Sequence, residues 1–165
     1  MQGPEPIVIV TTGGTIDKAY FDALSTYQIG EPIVKRVLDA ANVTHPYRIV
    51  ELLRKDSLEL TDEDRQRLKE TVAALDSRRI VITHGTDTMV ETARTIAAGV
   101  QGKTVVLTGA MIPYAFGSSD GLFNLGSALS FAQVLPSGVY IAMNGQHFVW
   151  DRVRKNRESG AFEAL

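Results

Sequence analysis

Cysteine is absent from this sequence of 165 residues. Its absence excludes disulfides, thiol nucleophiles and thiolate metal sites. Neither sign of charge predominates, because the sequence has 17 Lys and Arg residues and 19 Asp and Glu residues, for a net charge of -2. That balance gives no basis for a nucleic-acid or anionic-membrane partner. The histidines, His45, His84 and His147, lack metal-ligand spacing. We expect no metal and no other cofactor.

Long apolar runs are also missing. No stretch approaches the length of a membrane span, and the apolar run at residues 7–10 is too short for the core of a signal peptide. We therefore expect a soluble, cytoplasmic protein. Apolar residues make up 44% of the chain, which is enough for a globular core, and the length suits one domain over residues 1–165.

Short β-branched segments alternate with helical patterns along the chain. The predicted strands are residues 7–10, 48–52, 79–83, 104–108 and 139–143, and the predicted helices are residues 32–41, 62–75, 87–98 and 120–134. Thr61 is the expected N-cap of the second helix. This alternation predicts an α/β fold, an open parallel sheet with helices on both faces. Residues 151–165 are polar and weakly patterned and receive no assignment.

Ligands of open parallel sheets bind beyond the carboxyl ends of the strands. Thr12-Gly13-Gly14-Thr15 follows the first strand directly. Its glycines allow a sharp turn and a close approach of backbone amides to a ligand. Thr15 would then lie above the sheet edge as a candidate nucleophile. The alternative is a glycine turn with a capping threonine.

Two further polar segments follow strands. In His84-Gly85-Thr86-Asp87-Thr88, Asp87 could hold a substrate ammonium and Thr86 could position a water. Alternatively, Asp87 caps a helix and His84 is a hydrogen-bonded structural group. Asp56-Ser57 alone is typical of an ordinary loop.

Together these segments resemble the bacterial-type L-asparaginase family. Thr12-Gly13-Gly14-Thr15-Ile16 is similar to its first signature, and His84-Gly85-Thr86-Asp87-Thr88 to its second. Asp56-Ser57 with Leu60-Thr61 is similar to a substrate-binding segment. Gly109-Ala110-Met111, Ser119-Asp120-Gly121 and Phe123-Asn124 match further motifs. The resemblance implies the Rossmann-like fold of the asparaginase N-terminal domain, over about residues 7–162.

The resemblance also implies roles for individual residues. Thr15 attacks the carboxamide of L-asparagine, and water releases L-aspartate from the acyl-enzyme. Tyr27 matches the lid tyrosine that activates the nucleophile, with Tyr20 as a rival. Thr86, Asp87 and a lysine form a second polar triad, for which Lys155 is the candidate. Among Gly14, Ser57, Thr86 and Asp87, which would bind the substrate, Ser57 would hold its α-carboxylate.

One departure from the family pattern is large. Typical members carry a C-terminal domain that lends an acidic residue to a neighbouring site, whereas this sequence ends at Leu165. We therefore expect a short-form enzyme that pairs as a homo-oligomer, a dimer or higher. The alternatives are an amino-acid-binding regulatory domain without turnover and a subunit of a larger amidotransferase.

Overall fold

A six-stranded sheet forms the centre of the computed structural model, which describes residues 2–165. Its strands are β1 (Ile7–Gly13), β4 (Tyr47–Lys55), β5 (Arg79–Thr83), β6 (Thr104–Thr108), β7 (Gly138–Met143) and β8 (Gln146–Val149). They follow the order β4-β1-β5-β6-β7-β8, and all neighbours pair in parallel except the antiparallel edge strand β8. The predicted parallel sheet is confirmed, and its five parallel strands end at one edge.

Helices cover both faces of this sheet, as the alternating pattern predicts. The helices are α1 (Val34–Ala40), α2 (Asp62–Ala74), α3 (Met89–Ala97) and α4 (Gly121–Val134). Along β1, Val8 and Val10 pack in the cluster that contains residues of α2 and α3. Ile7 and Ile9 pack in the opposite cluster, with α1 and α4. Successive side chains of a strand point to opposite faces, so a strand that is apolar at every position is buried on both.

The start of α2 is specified locally. The Thr61 hydroxyl accepts the backbone N–H of Asp64, and the Asp64 carboxylate accepts the backbone N–H of Thr61. This capping box satisfies two amide donors that the first turn would otherwise leave unpaired. The predicted N-cap is confirmed.

Two hairpins and one edge strand lie outside the predicted strands. The first hairpin joins β2 (Lys18–Phe21) to β3 (Thr26–Ile29), and the second joins β9 (Val153–Asn156) to β10 (Ala161–Ala164). The hairpins and β8 consist of four-residue strands with mixed burial. Because these strands are short and partly polar, they lack the apolar signal that marks buried strands. The unassigned segment at residues 151–165 therefore contains the second hairpin.

Candidate active site

Two glycines bring three loops together at the carboxyl edge of the sheet. Gly14 has φ +89 and ψ 178, and its N–H donates to the Lys55 carbonyl at 3.0 Å. A Cβ on Gly14 would lie 2.7 Å from the Cα of Gly85. A Cβ on Gly85 would lie 2.6 Å from the Cβ of Ser57. Both contacts exclude a side chain at the glycine. The loops after β1 and β5 therefore touch through backbone, and Gly85 packs against the side chain of Ser57 in the loop after β4. Thr15 and Thr86 each follow one of these glycines, so this packing brings the two loops that carry them together.

Lys155 enters this site from the second hairpin. Its Nζ donates to the Thr86 hydroxyl and to the Asp87 carboxylate, each at 2.8 Å. The Lys155 side chain is only 13% exposed, and that of Asp87 is 34% exposed. The Thr86 oxygen accepts from the ammonium, so its own hydrogen is available to another acceptor. The hydroxyl, ammonium and carboxylate thus come together as the resemblance implies.

Asp87 does not cap α3. That helix begins at Met89, its N-cap position is Thr88, and no side chain there bonds the helix amides. The Thr88 hydroxyl instead donates to the Ser57 carbonyl at 2.8 Å. The local alternative of a helix-capping Asp87 is therefore wrong, because the carboxylate is held by Lys155.

Ser57 lies in the wall of the site and is buried. It begins a short 3-10 turn after β4, and the Asp56 carboxylate accepts the Leu58 N–H at 3.0 Å. Lys18 approaches the same carboxylate at 3.4 Å. Beside this turn, a cavity of about 420 Å³ is lined by Lys18, Tyr27, Gln28, Ile29, Arg54, Asp56 and Glu59. Of the site residues predicted from the sequence, only Tyr27 lines this cavity.

His84 is a structural group, as its second interpretation predicts. Nδ1 lies 2.6 Å from the Gly85 carbonyl, which can only accept, so Nδ1 carries the hydrogen. Nε2 then accepts from the Thr92 hydroxyl at 2.7 Å, and that hydroxyl accepts from Arg65 Nε at 3.1 Å. Burial lowers the pKa of His84 to about 4. The imidazole is therefore neutral at physiological pH and holds the Gly85 carbonyl by a hydrogen bond.

The two candidate tyrosines lie on the first hairpin and pack against each other. Tyr20 and Tyr27 are cross-strand partners with ring centroids 5.2 Å apart. Tyr27 also meets Phe116 edge-on at 5.2 Å. Both tyrosines remain about half exposed. The choice of Tyr27 as the lid residue stays a prediction, and Tyr20 stays its rival.

The motif Ser119-Asp120-Gly121 holds the loop after β6. The Asp120 carboxylate accepts the backbone N–H groups of Met111 and Ile112 at 3.0 Å. The Asn124 side-chain amide donates to Asp120 and to the Gly109 carbonyl, each at 2.9 Å. A carboxylate that accepts several backbone amides fixes the loop around it. This part of the resemblance is structural support for the site edge.

Sequence reasoning missed Asp17, two residues after Thr15. Its side chain is buried, and one carboxylate oxygen has no partner among the described residues. Burial is the main cause that raises the pKa of Asp17 to about 7, and nearby Glu51 adds to it. The only signal in the sequence is that this acidic residue directly follows Thr12-Gly13-Gly14-Thr15-Ile16.

The fold and the site define an α/β protein whose polar centre, built from hydroxyls, a lysine and a carboxylate, lies at the carboxyl edge of a parallel sheet. The family model described as "Asparaginase, N-terminal" matches residues 6–165. The chain belongs to this family.

Individual relatives agree with the family match. The chain is 36% identical to a glutaminase-asparaginase from Acinetobacter glutaminasificans over 166 residues, covering 90% of this chain and 49% of the relative. It is 33% identical to an L-asparaginase from Thermococcus kodakarensis, covering 96% and 51%. The structure of L-asparaginase I from Vibrio cholerae superposes with a TM-score of 0.86 at 29% identity, covering 98% and 52%. The chain thus spans about half the length of the curated relatives it matches.

No helix among residues 2–165 is long and apolar enough to cross a membrane. Nor do those residues contain a group of three or more His, Asp or Glu side chains placed to hold a metal ion.

Proposed function

We propose that this protein is an amidohydrolase that converts L-asparagine to L-aspartate and ammonia through an acyl-enzyme on Thr15. The observation that carries the proposal is Lys155 bonded to both Thr86 and Asp87 at the point where Gly14 packs on Gly85. The family match and the relatives named L-asparaginase support the same activity. We further propose that residues 1–165 act as one domain.

The proposed reaction has two steps. The Thr15 oxygen adds to the carboxamide carbon, the C–N bond breaks, and the hydroxyl proton leaves with ammonia. Water then adds to the resulting ester, the bond to the Thr15 oxygen breaks, and a proton returns to that oxygen. Backbone N–H groups beside Gly14 stabilise the oxyanion, each by roughly 3 kcal/mol. A threonine hydroxyl needs an activating group near neutral pH, a role we assign to Tyr27.

The remaining site residues would anchor the substrate. Ser57 would hold the α-carboxylate and Asp87 the α-ammonium. Thr86, bonded to Lys155, would position the water that attacks the ester. The partial exposure of Asp87 leaves its carboxylate room for a second cation. Because Thr15 and Ser57 would hold opposite ends of the substrate, L-asparagine should be favoured over the longer L-glutamine.

Ammonia release by the purified protein supplied with L-asparagine tests this proposal. We expect Thr15→Ala to abolish turnover and Thr15→Ser to retain part of it, since serine keeps a hydroxyl. Thr44→Ala is the matched control, because Thr44 is exposed and precedes β4 at the opposite edge of the sheet. Activity of Thr15→Ala within a few-fold of wild type would remove Thr15 from the nucleophile role.

The same assay separates the alternatives. A regulatory domain would bind L-asparagine in calorimetry without releasing ammonia. An amidotransferase subunit would release ammonia only with a partner chain. Comparison of kcat/KM for L-asparagine and L-glutamine on one preparation settles substrate choice, which matters because several relatives are named glutaminase-asparaginase.

We also propose a cytoplasmic homo-oligomer. The exposed aromatic rings of Tyr20, Tyr27 and Phe116 form a contiguous patch beside the site, and such patches commonly mark interfaces. A similar solved structure is that of a probable cytoplasmic L-asparaginase from Campylobacter jejuni, which supports the proposed location. If light scattering finds only a monomer in a fully active preparation, the proposed oligomer is contradicted. If fractionation of the cells that produce the protein recovers it from the periplasm, the proposed location is contradicted.

A further inference from the structure

Asp17 joins the turn that contains Thr15 to the segment after the first hairpin. Its backbone N–H donates to the Gly14 carbonyl at 3.1 Å, which closes the 3-10 turn around Thr15. Its backbone carbonyl accepts the Gly30 N–H at 2.8 Å. Its carboxylate oxygen Oδ1 accepts the Ile33 N–H at 3.0 Å. One residue therefore makes three bonds, which close the nucleophile turn and tie it to the segment directly after the hairpin.

Outside the bonds to Asp17, the hairpin is held by the Lys18–Asp56 ion pair at 3.4 Å and by the contact of Tyr27 with Phe116. Residues 20–28 are exposed, and both candidate tyrosines lie among them. Exposed strands with little apolar contact open easily in native proteins. Two bonds at the base, from Gly30 and Ile33 to Asp17, fix the direction in which the hairpin leaves the sheet edge. The distance between a tyrosine hydroxyl and Thr15 then depends on this base.

We propose that Asp17 is a positioning residue, which clasps the base of the tyrosine-bearing hairpin to the Thr15 turn and so holds the tyrosine over the nucleophile. The inference rests on the proposed function for its catalytic consequence. The clasp itself is a statement about the hairpin and can be tested without turnover. Nucleophilic attack tolerates little misplacement of its partners, so a loosened base slows the reaction.

The chemistry of the buried carboxyl fits this role. The charged groups that face it are Glu51 and Arg54 of β4, and Glu31 lies near Arg54. Burial raises the pKa of Asp17 to about 7, so the fold favours the protonated acid, whose Oδ1 still accepts the Ile33 N–H. Ionisation leaves a desolvated charge on the unpaired oxygen. Opening of the base exposes the carboxyl to water, so the clasp should weaken as the pH rises from 3.8 towards 7 and change little above that range.

Asp17→Asn and Asp17→Ala separate the acceptor from the charge. Asparagine keeps an acceptor for Ile33 without ionising, whereas alanine removes it. We expect Asp17→Asn to keep activity within about threefold of wild type and Asp17→Ala to lose roughly tenfold or more in kcat. Asp22→Ala is the matched control, since Asp22 is exposed near the tip of the same hairpin.

Amide hydrogen exchange of residues 18–29, corrected for intrinsic rates and read from about pH 4 to pH 9, measures the clasp directly. We expect protection in wild type to fall as the pH rises towards 7 and to level off above it. Protection should be independent of pH in Asp17→Asn and low throughout in Asp17→Ala. Wild-type protection in Asp17→Ala, or equal damage in both variants, would overturn the proposal. If wild type releases no ammonia, the proposed function fails, and exchange still decides the clasp. If Asp17→Ala does not fold, the pH profiles of wild type and Asp17→Asn decide it.

Discussion

Replacing Gly14 with alanine perturbs the contact on which the whole site depends. Gly14 has φ +89 and ψ 178, a conformation almost exclusive to glycine, and an L-residue there costs about 1–3 kcal/mol. The added Cβ would also lie 2.7 Å from the Cα of Gly85 and 2.8 Å from the carbonyl carbon of His84. Both atoms are backbone, so no side-chain rotation relieves the overlap.

We therefore expect Gly14→Ala to lower the free energy of unfolding by about 3 kcal/mol or more. The loop after β5 must also move away from Thr15. A displacement of about 1 Å at a reacting centre costs on the order of a hundredfold in rate, so ammonia release should fall by at least that factor. Urea unfolding and the ammonia assay on the same preparation measure the two effects.

Two other glycines serve as controls for strain and for clash. Gly117 has φ +78 but open space around its Cβ position, so Gly117→Ala carries strain alone and should cost about 1–2 kcal/mol. Gly126 lies exposed in α4 with no atom within 4 Å, so Gly126→Ala should stabilise by about 0.5–1 kcal/mol. If the Gly14→Ala variant is at least as stable as the Gly117→Ala variant and is still active, the reasoning is refuted.

Three further predictions concern buried polar groups. Thr92→Val removes the hydroxyl between Arg65 and His84 and should cost about 2–4 kcal/mol in urea unfolding; a cost below about 1 kcal/mol would contradict the network. Because burial raises the pKa of Asp17 from 3.8 to about 7, wild type loses stability as the pH rises across that window. Asp17→Asn should therefore gain about 4 kcal/mol relative to wild type between those pH values, and a constant difference would refute the assignment. Burial lowers the pKa of His84 from 6.5 to about 4, so the stability that depends on a neutral His84 is lost as the pH falls through that range. In wild type this pH dependence partly offsets the opposite pH dependence that Asp17 causes. Lys155→Met should lower kcat by about a hundredfold or more, while the exposed control Lys35→Met stays near wild type; equal activities would remove Lys155 from the site.

The parallel sheet could be predicted because its strands are buried on both faces. A segment such as Ile7 to Val10 is apolar at every position, because a strand that is covered on both faces of the sheet exposes neither set of side chains to water. Because ligands bind beyond the carboxyl ends of such strands, the positions of Thr15 and of Thr86 with Asp87 directly after strands predict them as site residues. Strand ends were less predictable, since β1 continues to Gly13 through pairing with Lys55, a distant partner that local sequence does not reveal.

The rest of the site depends on long-range packing. Lys155 lies in a run of basic residues typical of a solvated face, and 68 residues separate it from the Asp87 carboxylate that it bonds. Only family resemblance pointed to it. Asp17 escaped notice because nothing local shows that its carboxyl is buried or that it bonds Ile33 across the hairpin. Both residues take their roles from hairpins too short and polar to be recognised by periodicity.

The covalent intermediate tests the central claim most directly. Wild-type protein is mixed with excess L-asparagine and quenched in acid, and the peptide that contains Thr15 is analysed by mass spectrometry, with Thr15→Ala as the control. We predict an aspartyl ester on the Thr15 oxygen that forms with the release of ammonia and is absent from the variant. Ammonia release with an ester on another residue, such as Thr12, or undiminished release by Thr15→Ala, would contradict it.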